Sequence, residues 1–239
     1  MQYDGIFFDS GGTIFSFGGG TGNADPDSRQ VGAQAPERVA TALRWLGHAV
    51  EDGEVSQQLQ KLKSLPQRLG PAYTEEKLMG ALFERLGLPP RADEVVYVTG
   101  VYSGPRYGSW LFPGIADVLE ELRAIGIAMG LIANTGVPGW VMDRNFRGVG
   151  LLQYFPVRVY SGDEGVEKPD SRIYELAAER AGLSDRRLIY MGDRGDKDVA
   201  GARAAGWSSI LFRSAMASSG GVADFEIDAW NELKAILAG

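Results

Sequence analysis

The chain opens with a short apolar run, Ile6-Phe7-Phe8, that stops at Asp9 and breaks into Ser10-Gly11-Gly12-Thr13. A run of that length ending in two glycines predicts a buried strand, Tyr3 to Phe8, entering a tight turn. Residues Gly18 to Asp27 are rich in Gly, Asn, Asp and Pro and read as a flexible linker. From Pro36 to Tyr107 apolar residues recur at helical spacing. Val39, Leu43 and Leu46 form one set, Leu59, Leu62 and Leu65 a second, and Leu78, Leu82, Phe83 and Leu86 a third. Pro66, Pro71 and the pair Pro89-Pro90 punctuate these segments. The block has the size of a small helical insertion.

A different rhythm starts at Pro113. It predicts a helix from Ile115 to Ile125 stopped by Gly126, a strand from Ile127 to Ala133, a loop, and a strand from Val157 to Tyr160. A helix from Ser171 to Ala181 stopped by Gly182, a strand from Leu188 to Met191 and a helix from Val199 to Ala205 follow. A strand from Ser209 to Phe212 and a helix from Ile227 to Leu237 complete the series. Strands alternating with helices of this length predict a parallel sheet covered on both faces. The expected fold is α/β, with a Rossmann-like parallel sheet core formed by residues 1–17 and 108–239. A linker and a small helical cap, residues 18–107, are inserted after the first strand.

Composition narrows the chemistry. The 239 residues are 44% hydrophobic and 23% charged, an ordinary globular balance. There is no cysteine, so thiolate nucleophiles, disulfides and Cys-based zinc sites are excluded. The single histidine, His48, excludes a multi-histidine metal site and sits where a helix-end histidine is expected. Carboxylates, lysine, arginine and hydroxyls remain, and carboxylates select hard cations such as Mg²⁺. The net charge of −7 argues against a nucleic-acid partner. No run of eighteen apolar residues offers a membrane span, and the first residues lack the pattern of a secretory leader. The expectation is a cytoplasmic protein, monomer or homodimer.

In parallel α/β sheets the site lies beyond the carboxyl ends of the strands. Asp9 ends the first strand, Asn134-Thr135-Gly136 the second and Gly192-Asp193 the fourth, with Asp198 five residues on. Lys168-Pro169 lies in the loop after the third. A carboxylate can attack phosphorus and form an aspartyl-phosphate, dividing one difficult displacement into two. Because nucleophile and substrate are both anionic, a divalent cation must bridge them. Asp193 can ligate it. Asp198 can hold a metal-bound water or orient Lys168, whose ammonium neutralises remaining charge. The turn Ser10-Gly11-Gly12 offers backbone N–H groups to phosphate oxygens.

Phe7-Phe8-Asp9-Ser10-Gly11-Gly12-Thr13-Ile14 resembles the first motif of the haloacid dehalogenase-like hydrolases, and Leu131-Ile132-Ala133-Asn134 is similar to the second. Lys168-Pro169-Asp170 resembles the third, and Met191-Gly192-Asp193-Arg194 through Asp198 the fourth. Phe112-Pro113-Gly114 also fits, and the resemblance covers the whole chain. It implies a phosphatase-type member with a cap between first and second motifs, acting on a small soluble phosphorylated compound. It implies that Asp9 is the nucleophile, that Asp9, the Gly11 carbonyl and Asp193 hold Mg²⁺, and that Lys168 binds nucleophile and phosphate.

Two positions depart from the family pattern. The phosphatase motif has a second aspartate two residues after the nucleophile, which protonates the leaving group and later activates water. Gly11 stands there, and general acid–base assistance of this kind contributes roughly 10²–10⁴-fold. Ala133 replaces the usual Ser or Thr, which leaves Asn134 or Thr135 to contact phosphate. Two alternatives stay open. One is a catalytically weak or non-catalytic member that binds phosphate or a partner. The other is a hydrolase of phosphonate or other C–X bonds using a cap lysine, Lys61, Lys63 or Lys77. Trp45, Trp110 and Trp140 are expected to be packing residues, Trp110 at the junction of cap and core.

Overall fold

A computed structural model describes residues 2–16, 28–51, 53–214, 217 and 221–238. The predicted linker Gly18 to Asp27 lies outside the described residues. Six parallel strands form one sheet in the order β3-β2-β1-β4-β5-β6, where β1 is Gly5–Phe8, β2 Ala128–Ala133, β3 Val157–Tyr160, β4 Leu188–Gly192, β5 Ser208–Phe212 and β6 Phe225–Ile227. Ile6, Phe8, Leu131 and Met191 pack into one hydrophobic cluster and Phe7, Ile132 and Tyr190 into another. That is the period-two alternation of strands buried on both faces. On one face Phe8 stacks on Trp230 at 5.2 Å between centroids, and the Trp230 indole donates to the Thr13 carbonyl. Truncating such a fully buried aromatic costs about 3–5 kcal/mol.

β1 lies in the middle of the sheet. The chain leaves it toward β2 and β3 on one side, then returns to β4 on the other. The reversal opens a crevice at the carboxyl ends of β1 and β4, where Asp9 and Asp193 lie.

A third hydrophobic cluster, including Val39, Leu43, Leu78, Leu82, Phe83 and Val98, belongs to helices Ala35–Trp45, Glu75–Arg85 and Ala92–Ser103. Thr74 caps the second of these by accepting from the Lys77 N–H. The two crossings between core and cap run side by side: Phe15 pairs with Leu111, and Ser16 Oγ donates to the Trp110 carbonyl at 2.9 Å.

Several elements differ from the sequence reading. The loop expected after β2 contains a helix, Gly139–Gly148, whose buried face is Val141, Met142, Asn145 and Phe146. Terminal glycines and two arginines diluted its periodicity. The segment read as one helix from Ile227 is strand β6, then a 3₁₀ turn Trp230–Glu232, then helix Leu233–Ala238. Three residues are too few to announce an edge strand, and pairing with β5 makes it one. The helix expected from Val199 begins earlier, as a π-turn Gly195–Val199. Trp110 is buried at the junction as expected, whereas Trp45 is 84% exposed and packs nothing into the core. Among the described residues no helix is long and apolar enough to cross a membrane.

Candidate active site

Asp9, Lys168, Asp193 and Asp198 converge at the β1/β4 crevice, and all four are buried. Lys168 Nζ donates to Asp9 Oδ1 at 2.7 Å, to Asp198 Oδ1 at 2.6 Å and to the Tyr190 hydroxyl at 2.7 Å. An ammonium has three N–H groups, so all of them are engaged. Tyr190 passes the contact on, donating to the Ile132 carbonyl of β2 at 2.7 Å. Sequence reasoning missed Tyr190, because a tyrosine inside an apolar strand reads as core.

The loop carrying Lys168 is held by Asn134. Its side-chain oxygen accepts from the Lys168 N–H at 2.8 Å and its amide donates to the Lys168 carbonyl at 2.9 Å. Asn134 also lines the pocket. The Thr135 hydroxyl accepts from the Val137 N–H, and the Thr135 N–H is taken by Ser161 Oγ. Both side chains take part in the framework beside the pocket.

Two glycines are required by close approach. Gly12 has φ +81°, and a Cβ there would lie 2.1 Å from Asp193 Oδ2. A Cβ on Gly192 would lie 2.2 Å from Asp198 Oδ2. Gly12 was expected to offer its N–H to phosphate. That N–H is bonded to the Phe15 carbonyl at 2.8 Å, so the residue's contribution is clearance for Asp193. Gly11 lines the pocket beside Asp9.

Each of the three carboxylates presents an oxygen within 4.8 Å of the other two. Burial pushes Asp9 up to about 6, against the pull of Lys168 and with the repulsion of Asp198. Burial and the charges of Asp9 and Asp198 push Asp193 up to about 7. Burial alone would lower Lys168, but Asp198 and Asp9 outweigh it and hold it above its ordinary value. Three carboxylates against one ammonium leave two negative charges in a dry corner. Such a deficit is costly unless neutralised, and an all-oxygen donor set of that charge fits a hard dication. The residues present therefore fit the metal that the sequence motifs imply.

Other sequence candidates lie elsewhere. Lys61, Lys63 and Lys77 are exposed on the cap. His48 pairs with Glu94 at 2.8 Å inside the cap. Arg106, not singled out in the sequence, reaches the turn after Asp9: its Nη1 donates to Ser10 Oγ at 3.2 Å. It sits between Gly104-Pro105 and Tyr107-Gly108, with no motif around it.

The sequence matches the description haloacid dehalogenase-like hydrolase over residues 3–206. A glyceraldehyde 3-phosphate phosphatase of Methanopyrus kandleri is 31% identical over 160 residues, 64% of this chain and 67% of that protein. A phosphoserine phosphatase of Thermus thermophilus is 33% identical over 182 residues, 74% and 71% of the two chains. Among solved structures, a 2-haloacid dehalogenase from Pseudomonas syringae pv. Tomato superposes with TM-score 0.67 at 18% identity, over 99% of this chain and 98% of that one. The structural likeness is one of fold, while the motif-bearing residues and the sequence relatives carry the assignment. The chain belongs to the haloacid dehalogenase-like hydrolases.

Proposed function

We propose that this hydrolase is a Mg²⁺-dependent phosphatase with Asp9 as its nucleophile, acting on a small phosphorylated metabolite. The observation that carries the reading is the Lys168 bridge between Asp9 and Asp198 beside Asp193, a buried corner short of two positive charges. Relatives named as phosphatases of phosphoserine and glyceraldehyde 3-phosphate support the substrate class.

Asp9 attacks phosphorus, the bond to the leaving oxygen breaks, and water then cleaves the aspartyl-phosphate. Lys168 holds the Asp9 carboxylate in position through Oδ1. With its three N–H groups engaged, it acts on the incoming phosphate through its charge. Asp198 anchors Lys168 through one oxygen and accepts the Arg194 N–H at 2.9 Å through the other. Asp9, Asp193 and the Gly11 carbonyl would hold the cation, with Asp198 behind them. A bound dication would neutralise charge on the phosphoryl oxygens and on the carboxylates together. A helical cap closing over the crevice would exclude water during turnover. Helix Gly139–Gly148 grips it: Trp140 Nε1 donates to Glu76 Oε1 at 2.9 Å, and Arg144 donates to the Gly100 and Gly104 carbonyls.

Cleavage through a cap lysine is not proposed, because the three lysines are exposed. A non-catalytic phosphate-binding role is favoured only by the two departures, Gly11 and Ala133. An assay of phosphate esters and acyl phosphates, with and without Mg²⁺, decides between them. Turnover that requires Mg²⁺ and Asp9 supports the phosphatase; no turnover of any compound, acyl phosphates included, rejects it.

A further inference from the structure

A cavity of about 450 Å³ lies between the cap and the core helix Gly139–Gly148, and among the described residues it shares no wall with the pocket that holds Asp9. Its size is that of a small-molecule site, where volumes run to about 300–1,000 Å³. Three arginines line it: Arg38 from helix Ala35–Trp45, Arg106 from the segment after helix Ala92–Ser103, and Arg144 from the core helix. No carboxylate is among its described lining residues. Glu75 lies close enough for its charge to act on Arg106 and Arg144, and its carboxylate accepts from the Ser103 hydroxyl. It offsets one of the three positive charges.

The arginines are held in place by backbone. Arg38 donates to the carbonyls of Val31, Val101 and Tyr102, and Arg144 to those of Gly100 and Gly104. Glycines let them lie this close: a Cβ on Gly104 would stand 2.8 Å from Arg38 Nη2, and one on Gly100 3.3 Å from Arg144 Nη1. A carbonyl accepts a hydrogen bond without cancelling the charge, and a guanidinium has five N–H groups. Arg38 and Arg144 therefore keep both charge and donors. Burial lowers Arg106 to about 10, with Tyr160, Asp9 and Glu75 opposing, so it too is cationic at neutral pH. Asn145 is an independent observation. It lines the same cavity, is 5% exposed, and among the described residues its side-chain amide has no hydrogen-bond partner. A buried amide left unpaired is costly. This one is not sealed off by protein, and the cavity is where it opens.

We propose that this cavity is a second ligand site, which takes a small anionic compound through a phosphate or carboxylate group held by Arg38, Arg106, Arg144 and Asn145. Guanidinium groups match the paired oxygens of both anions, and the Asn145 amide gains the partner it lacks. The walls come from cap and core together, so a bound anion ties the two. The site is separate from the phosphatase reading, and a chain without turnover would keep it.

The test is calorimetric titration of the full chain with inorganic phosphate and, separately, with malonate, both in chelator. Without a divalent cation the carboxylates around Asp9 repel either anion, so binding reports the second cavity. Wild type should bind at least one of them, at one site per chain, and its melting temperature should rise with that anion. R144Q and N145L should each weaken binding roughly 10-fold, and R144K should recover part of the loss. N145L replaces the amide by an apolar group of similar size, so it should stay folded without ligand. Binding of phosphate alone or of malonate alone supports the site and identifies the group it takes. Binding of neither anion overturns the proposal. So does an affinity unchanged in both R144Q and N145L, which would place the anion elsewhere. An N145L chain that is unfolded without ligand would make Asn145 part of the framework and also overturns it.

Discussion

Asp9 has two unlike sides. On one, Asp9, Asp198 and Tyr190 are packed at 2.6–2.7 Å around the Lys168 ammonium with Asp193 close by, and glycines clear space for the carboxylates. On the other, Arg106 reaches Ser10 from the cap connection at 3.2 Å. The first side is over-determined: sheet register, the Asn134 clamp and mutual charge all hold it. The second is made by one arginine from a segment distant in the chain. Charge placed by strand ends is pre-organised before substrate arrives, whereas charge carried by a cap connection moves with the cap.

The contrast can be broken hardest at Asp9. Asp9→Asn should lose turnover on the order of 10⁴-fold or more, measured by steady-state kinetics, while its melting temperature does not fall, because a buried like charge is removed. A fall in melting temperature would mean that the Asp9–Lys168 pair stabilises more than the crowded carboxylates cost. Lys168→Met should behave differently, abolishing activity and destabilising by about 3–5 kcal/mol in denaturant unfolding, since it strands the buried carboxylates. An unchanged midpoint would show that those carboxylates are already protonated.

A pH series sharpens the same point. Asp9 and Asp193, raised to about 6 and about 7, bind protons more tightly folded than unfolded. Their contribution to stability is therefore fully present below the unfolded carboxylate range and is lost as pH rises through 6 and 7. In chelator the melting temperature should fall between pH 5 and pH 8 (about the span of these two titrations), and Mg²⁺ should restore most at the upper end. A melting temperature that rises with pH in chelator would contradict the carboxylate cluster. The smallest effect is expected on the cap side. Trp140→Phe removes the indole bond to Glu76 and should cost about 1 kcal/mol, seen as faster hydrogen exchange at the start of helix Glu75–Arg85. An equal increase in the β-strands would mean that cap and core open as one unit.

Much of the first side was legible in the sequence. Asp9, Lys168, Asp193 and Asp198 each follow a strand or open a helix, and local pattern suffices to find such positions. Tyr190 was not legible, because its hydroxyl matters only when Lys168, 22 positions away, is brought beneath it. The bonds that Asn134 and Gly12 make were not legible either. Their hydrogen bonds go to the Lys168 backbone and to Phe15, partners that spacing does not reveal. Helix Gly139–Gly148 escaped because glycines and exposed residues blurred its period, although it grips the cap.

Alternation of apolar runs and helical faces was enough to determine a parallel α/β core with a helical insertion, since burial of a sheet's two faces leaves few other arrangements. The positions of Asp9 and its acidic neighbours followed, because strand ends in such a sheet share one edge. Only the tertiary structure decided that Lys168 is saturated by three partners, that Gly12 is a clearance, and that Arg106 comes to the turn after Asp9. Those are facts of distance between segments far apart in the chain. Hydrogen bonding and electrostatics fall off within a few ångströms, so they are settled only when the chain has closed on itself.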